Sequence, residues 1–290
     1  MDVLEHAGSA RTLIDGHLPN GSVGLAWLGQ AGFAIRCARF LVLVDPYLSD
    51  HLADKYRGTE FPHVRMMPPP VAAEELRGVT AVLCTHRHGD HMDPRTLPVL
   101  AVNNPGSCIV VPRAELGSAH AIGLPAGQLA GLNAGETLEI APAICVSAIA
   151  AAHESLRQNE RGEHHFLGYV IRVGGITVYH SGDCVVYDGL VERLQREVID
   201  VALLPVNGRD ARRRDRGLPG NMDWGEAVEL CRRAGIPWLV PHHFGMFEFN
   251  TVDEPELRRA AAAVQPPPGC WVPAVDRYCT FRRGPGDEAA

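Results

Sequence analysis

Short apolar runs broken by glycine and proline turns recur along the chain, in two similar series. In the first, "VGLAWLGQAGFAIRC" and "RFLVLVDPYL" have the look of antiparallel strands, apolar residues split by Gly and polar turns. "VTAVLCTH" is almost continuously apolar, as expected of a strand covered on both faces. "DPRTLPVLAVNN" reads as a helix, "GSCIVVP" as a strand and "RAELGSAHAIGL" as a short helix. In the second series, "GETLEIAPAICVSAIAAAH", "FLGYVIRVGGITVYHSGD" and "VIDVALLPVNG" read as strands with Gly hairpin turns. "MDWGEAVELCRRAG" reads as a helix with acidic residues in its first turn and Arg232, Arg233 and Gly235 at its end. "PWLVPHHF" is a further strand and "EPELRRAAAAVQ" a last helix. Strand clusters alternating with helices twice over predict an α/β fold, an αββα sandwich of two mixed sheets flanked by helices. Residues 1–290 read as a single domain with halves of roughly 20–135 and 136–275. The "PPP" runs at 68–70 and 266–268 mark loops, and the charged, Gly/Pro-punctuated stretch 207–221 reads as an exposed excursion.

Composition narrows the function classes. With 46% hydrophobic and 21% charged residues and a net charge of −7, the chain lacks the balance expected of a broad nucleic-acid-binding surface. The N-terminus has neither a basic start nor an apolar core segment, so no signal peptide is expected. No apolar run approaches the length of a membrane span. Cys37, Cys84, Cys108, Cys145, Cys184, Cys231, Cys270 and Cys279 form no C-x-x-C pair, and several lie inside apolar runs; they read as buried thiols of a cytoplasmic protein. A small-molecule substrate, anionic ones included, is the expected partner, and a homo-oligomer stays open. Fourteen histidines are an excess that needs a chemical reason.

That reason lies in "AVLCTHRHGDHMD", where His86, His88, Asp90, His91 and Asp93 crowd into a short stretch just after an apolar strand. In an extended or turning backbone, residues two apart can point the same way, which brings His86 and His88 together. Gly89 is read as permitting the turn that brings Asp90 and His91 round. Imidazoles plus a carboxylate at a strand end suit Zn, Mn or Fe. Six residues hold no complete two-metal site, so further ligands are sought at other strand ends. Three candidates follow apolar runs: His153 after "SAIAAA", Asp183 after "ITVYHSG" and His243 after "PWLVPH".

The HxHxDH pattern at 86–91, with His153, the "SGD" of Asp183 and the "HFG" of His243, resembles the metallo-β-lactamase-fold hydrolase superfamily. Within it, "WLGQAGF", "DPYLSD", "THRHGDHMD" and "YHSGD" are most similar to the L-ascorbate-6-phosphate lactonase-like group. "PHHFGMF" also resembles the ending found in relatives of N-acyl-phosphatidylethanolamine phospholipase D. The resemblance implies two divalent ions, Zn or Mn, one held by His86, His88 and His153, the other by Asp90, His91 and His243, with Asp183 bridging. It chooses His243 over His242 because the ligand precedes an aromatic-Gly pair; His242 is then expected to pack beside the ligands. It also implies that Asp45, at the end of "LVLVD", supports the metal loop through hydrogen bonds. His180 is expected to bond locally, Cys184 to pack as a thiol, and His164 and His165 to sit in a hairpin, one of them near the pocket at best. A hydroxide held by two ions would attack a carbonyl or phosphoryl group, with Asp90 as the catalytic residue that orients it and takes its proton. The implied reaction is hydrolysis of a sugar or sugar-phosphate lactone; the alternative is phosphodiester hydrolysis of the phosphodiesterase or phospholipase D type. Arg209, Arg212, Arg213, Arg214 and Arg216 either clamp an anion or are a solvated loop. A flavin-linked oxygen reductase is disfavoured because no flavodoxin-like segment is present.

Overall fold

A computed structural model describes residues 1–19 and 21–284. Its strands are β1 (Asp2–Ala7), β2 (Ser22–Gly29), β3 (Gly32–Cys37), β4 (Phe40–Val44), β5 (Ala81–Leu83), β6 (Cys108–Pro112), β7 (Leu129–Leu132), β8 (Thr137–Ala141), β9 (Ile144–Ala150), β10 (Leu167–Val173), β11 (Ile176–His180), β12 (Val201–Pro205), β13 (Trp238–His242), β14 (Gly269–Cys270) and β15 (Arg277–Arg282). They form two mixed sheets, ordered β1-β15-β2-β3-β4-β5-β6-β7 and β14-β13-β12-β11-β10-β9-β8. The predicted αββα architecture is therefore the observed one.

The nearly continuous apolar runs have a simple cause. Along β4, Val42 and Val44 join the core between the sheets, while Leu41 and Leu43 join a second cluster under the outer helices. On β5, Ala81 and Leu83 face inward and Val82 outward. Both faces of these strands are covered, so both parities are apolar. Full burial of one such side chain contributes about 1.5–3 kcal/mol, and the inter-sheet cluster draws on both sheets, from Leu25 and Phe33 to Tyr169, Val178 and Leu203. The predicted helix at 222–235 spans Trp224–Ala234, started by a capping box between Asp223 and Glu226 and stopped by Gly235 at φ 71°.

Strand direction brings the chemistry together. β9 and β11 both run antiparallel to β10, so they point the same way, and β11, β12 and β13 are parallel. β4 and β5 are parallel in the other sheet. The segments that follow β4, β5, β9, β11 and β13 carry Asp45, the 86–91 cluster, His153, Asp183 and His243. Four strands escape the hydrophobic pattern, β1, β7, β14 and β15; of these, β1 and β15 pair with each other, and β15 also pairs with β2, so the last strand joins the sheet begun by the first. β1 is largely exposed on an edge, which removes the apolar signal that reveals a strand.

Candidate metal centre

The site is organised from below by Asp45, the residue after β4. It is fully buried and holds φ 43°, a left-handed conformation rare outside glycine. Its Oδ1 accepts from the Thr85 backbone N–H at 2.8 Å, and its Oδ2 accepts from the Thr85 hydroxyl and His91 Nδ1–H, both at 2.7 Å. These bonds determine two tautomers. With Nδ1–H given to Asp45, the neutral form of His91 keeps its lone pair on Nε2, 3.3 Å from Asp183 Oδ1 and 3.7 Å from Asp90 Oδ2. The Thr85 hydroxyl, its hydrogen spent on Asp45, accepts from His86 Nδ1–H at 3.1 Å and so leaves His86 Nε2 bare, 3.0 Å from His88 Nδ1.

The other side chains converge from separate elements. His153 Nε2 stands 3.8 Å from Asp183 Oδ2. His243 Nε2 stands 3.3 Å from Asp183 Oδ2 and 3.9 Å from Asp90 Oδ2. Three groups result whose ligand atoms lie within 4.8 Å of one another: His86, His88 and His153; His86, His91 and Asp183; Asp90, His91 and His243. His91 Nε2 and Asp183 Oδ1, both among the converging atoms, are buried with no hydrogen-bond partner, as are the Nδ1 atoms of His153 and His243, whose Nε2 atoms face Asp183. Buried polar atoms left unsatisfied in such number are costly, and a divalent cation suits the converging imidazoles and carboxylates.

Electrostatics sharpen the same picture. Burial alone would push His91 down, but the carboxylates of Asp183, Asp45 and Asp90 outweigh it and hold the imidazole well above its usual range. Burial opposes charge on Asp183 too, yet His243 and His91 keep it well below the usual carboxylate range. His153 is pushed down to about 4, chiefly by burial. Burial, with the neighbouring His91 and His88, holds His86 well below its usual value.

His242 and His243 part company where the strand stops. His242 is the last residue of β13 and points the other way, stacked on His180 with centroids 4.7 Å apart. His243 adopts φ 60°, which turns its side chain into the cluster while its N–H donates to the Gln30 carbonyl at 3.0 Å. His180 bonds locally: one ring nitrogen donates to the Ala31 carbonyl at 2.8 Å and the other accepts from the Gly182 N–H at 3.0 Å. Cys184 is a buried thiol, pushed up to about 12 by burial. Gly89 does not serve the expected left-handed turn; it lets Leu52 pack close to the backbone. Its φ lies outside the left-handed region, and a Cβ there would come within 2.8 Å of Leu52 Cδ2. Gly182 does hold φ 60°, with Thr85 Cβ 2.7 Å from where its own Cβ would be.

Above the cluster opens a cavity of about 790 Å³. His88, Asp90, His153, Asp183 and His243 line it, with Lys55, His63, Arg87, Arg157 and Phe166 among its walls. His164 and His165 do not line it: His164 bonds Asn133 and Gln158, and His165 bonds the buried Glu115. The 207–221 excursion reaches the mouth only through Gly217, Leu218 and Pro219. Arg209, Arg213, Arg214 and Arg216 are committed to Glu226, Asp210, Glu154 and Glu60. Two residues carried no distinct signal in the sequence. Gln30, also left-handed at φ 51°, donates from Nε2 to Asp90 Oδ2 at 2.9 Å and lies 3.2 Å from His243 Nε2. It sits inside the quoted "WLGQAGF" motif, yet nothing local distinguishes it from a turn residue. His63 is the other.

Residues 41–244 match the family model of the β-lactamase superfamily domain. A UPF0173 metal-dependent hydrolase of Anaeromyxobacter is 30% identical over 254 residues, covering 83% of this chain and 81% of that protein. The chain belongs to the UPF0173 metal-dependent hydrolases of the β-lactamase superfamily. The hydrolase of Myxococcus xanthus is 28% identical over 265 residues, covering 86% of this chain and 82% of its own. In three dimensions this hydrolase is similar to an isothiocyanate hydrolase from Delia radicum gut bacteria, with a TM-score of 0.71 at 19% identity, over 90% of this chain and 100% of the other. Among the described residues, no helix is long and apolar enough to cross a membrane.

Proposed function

We propose that this hydrolase holds two divalent ions, Zn or Mn, and hydrolyses a lactone of a sugar or sugar phosphate. His86, His88 and His153 would hold one ion, and Asp90, His91 and His243 the other. One observation supports the dinuclear reading: Asp183 stands between the two sets, with Oδ1 3.3 Å from His91 and Oδ2 3.3 Å from His243 of the one set and 3.8 Å from His153 of the other. When bound, two such ions acidify a water and polarise the electrophilic carbonyl or phosphoryl oxygen. The chain's residues do the rest. Asp45 and Thr85 fix the tautomers of His91 and His86. Asp90, tethered by the Gln30 amide, accepts the proton of the attacking water and passes it to the leaving oxygen. His242, stacked on His180 at the end of the strand that His243 follows, would support the position of that turn.

Cations at the cavity mouth favour an anionic substrate. Among the described residues neither Lys55 nor Arg157 has a carboxylate in salt-bridge contact, whereas Arg209, Arg213, Arg214 and Arg216 do. Phosphodiester hydrolysis, the second reading, would use the same floor and the same cations. We also read 1–290 as one domain, since β15 closes the first sheet after the second is complete.

The test is metal analysis together with a substrate panel. Protein stripped by chelator and reconstituted with Zn or Mn should hold about two equivalents; less than one ends the dinuclear reading. A sugar δ-lactone should be hydrolysed faster than bis(p-nitrophenyl) phosphate. The reverse order selects the phosphodiesterase reading.

A further inference from the structure

His63 lines the same cavity but is in none of the three ligand groups. It lies in the irregular segment after the helix His51–Lys55. That segment is tied to the far side of the cavity by the Met66 N–H, which donates to the Met246 carbonyl at 2.9 Å. Three rings fix the imidazole. Tyr56 stacks on it at 4.2 Å between centroids and 25°, while Phe247 and Phe249 meet it edge-on at 4.9 and 4.8 Å. The tautomer is determined as well. Nδ1 lies 2.8 Å from the Phe61 carbonyl oxygen, which can only accept, so Nδ1 carries the hydrogen. Among the described residues Nε2 has no hydrogen-bond partner and is left as a bare acceptor.

The surroundings keep this ring neutral. Burial is the leading effect and lowers its pKa from the usual histidine value, against the upward pull of the Phe61 carbonyl and Asp90; Lys55 adds to the lowering. Glu248, between the two phenylalanines, is exposed to solvent. A neutral, rigid acceptor welcomes an O–H or N–H and repels a phosphate or carboxylate oxygen. The cations that would receive such an anion, Lys55 and Arg157, also line this cavity.

We propose that His63 is a specificity residue of the cavity, its Nε2 accepting a hydrogen bond from a hydroxyl of a polyhydroxylated substrate away from the bond being broken. This rests on the lactone reading above. The contact is present in the ground state as in the transition state, so its loss raises KM rather than lowering kcat.

The decisive comparison is between D-glucono-δ-lactone, rich in hydroxyls, and δ-valerolactone, which has none, measured on the metal-reconstituted full chain. His63→Phe keeps a ring for Tyr56, Phe247 and Phe249 to pack on but lacks Nε2. Its kcat/KM ratio for the two lactones should fall about tenfold, the scale of one hydrogen bond, through KM of the hydroxylated lactone. His63→Gln returns an acceptor and should recover part of that ratio. A ratio in His63→Phe equal to the native one overturns the proposal. If native protein turns over neither lactone, the lactone reading fails by itself. His63 is then judged by ¹⁵N NMR of the histidine side chains of native protein titrated with D-sorbitol. A saturable shift of the His63 Nε2 resonance sustains its role as a hydroxyl acceptor, and no shift overturns it.

Discussion

Two histidines of one cavity show two ways of building a site. His91, in the floor, is fully buried and held by charge: Asp45 takes its Nδ1 hydrogen and Asp183 faces its Nε2. His63, in the wall, is held by three rings and one backbone carbonyl. The floor residues follow strands whose directions are locked by the sheets. The wall comes from irregular segments around 56–66, 154–157 and 217–219. A floor of this kind presents one arrangement of lone pairs and serves chemistry. A wall built on loops can change without disturbing it and serves recognition.

If this division is right, substitutions in the floor should be far more damaging than those outside it. Asp90→Asn keeps the shape but cannot accept the proton. Hydrolysis should fall by roughly 10²-fold or more, as for a lost general base, with the circular dichroism spectrum unchanged. Near-native turnover would remove Asp90 from its role. Asp45→Asn leaves His91 Nδ1 without its charged acceptor, and metal affinity should fall about 10–100-fold, read by competition with a chromophoric chelator. An unaltered affinity would mean that Asp45 only anchors the backbone of Thr85.

The adjacent pair at the end of β13 is a finer probe. His243→Ala should lose one metal equivalent, whereas His242→Ala should keep both and lower the rate modestly. The opposite result in elemental analysis would reverse the assignment of the two rings.

Acid should weaken the floor of the metal-free protein. The unfolded chain protonates His153 near its ordinary 6.5, but the folded chain resists until about 4. The stability this group contributes is therefore complete above pH 6.5 and lost as pH falls towards 4, at most about 3 kcal/mol. His86, also depressed, acts in the same direction; His91, raised, acts in the opposite one, its contribution fading as pH rises. Urea midpoints of chelator-treated native protein and His153→Asn between pH 7.5 and 5 should diverge, with the native falling more steeply; parallel curves would refute this. The smallest effect is expected on the exposed excursion. Arg216→Ala breaks a surface pair with Glu60, so stability should change by roughly 0–1 kcal/mol and hydrolysis by less than twofold. A tenfold loss of rate would bring the excursion into the site.

Some of this organisation was legible along the chain. His86, His88, Asp90 and His91 stand out because they are packed into one short stretch after an apolar strand, a property of neighbours in sequence. The two sheets were legible for a similar reason: strands covered on both faces are apolar at every position, and glycine marks their turns. β1 and β15 were not, because their pairing joins the two ends of the chain and β1 lies exposed on an edge.

Tertiary structure decided what depends on distance through space. That His153, Asp183 and His243 meet the cluster follows from β9, β11 and β13 running the same way, which no local pattern encodes. That His243 rather than His242 faces Asp183 follows from φ 60° at the strand's end. Gln30 and His63 have unremarkable neighbours in sequence, and their places come from side-chain contacts spanning 60 residues for Gln30–Asp90 and nearly 190 for His63–Phe249. A sequence displays the residues that can bind a metal wherever they cluster. The partners that orient them are chosen by packing, because a hydrogen bond or a ring contact depends on where folding puts two groups rather than on where they lie along the chain.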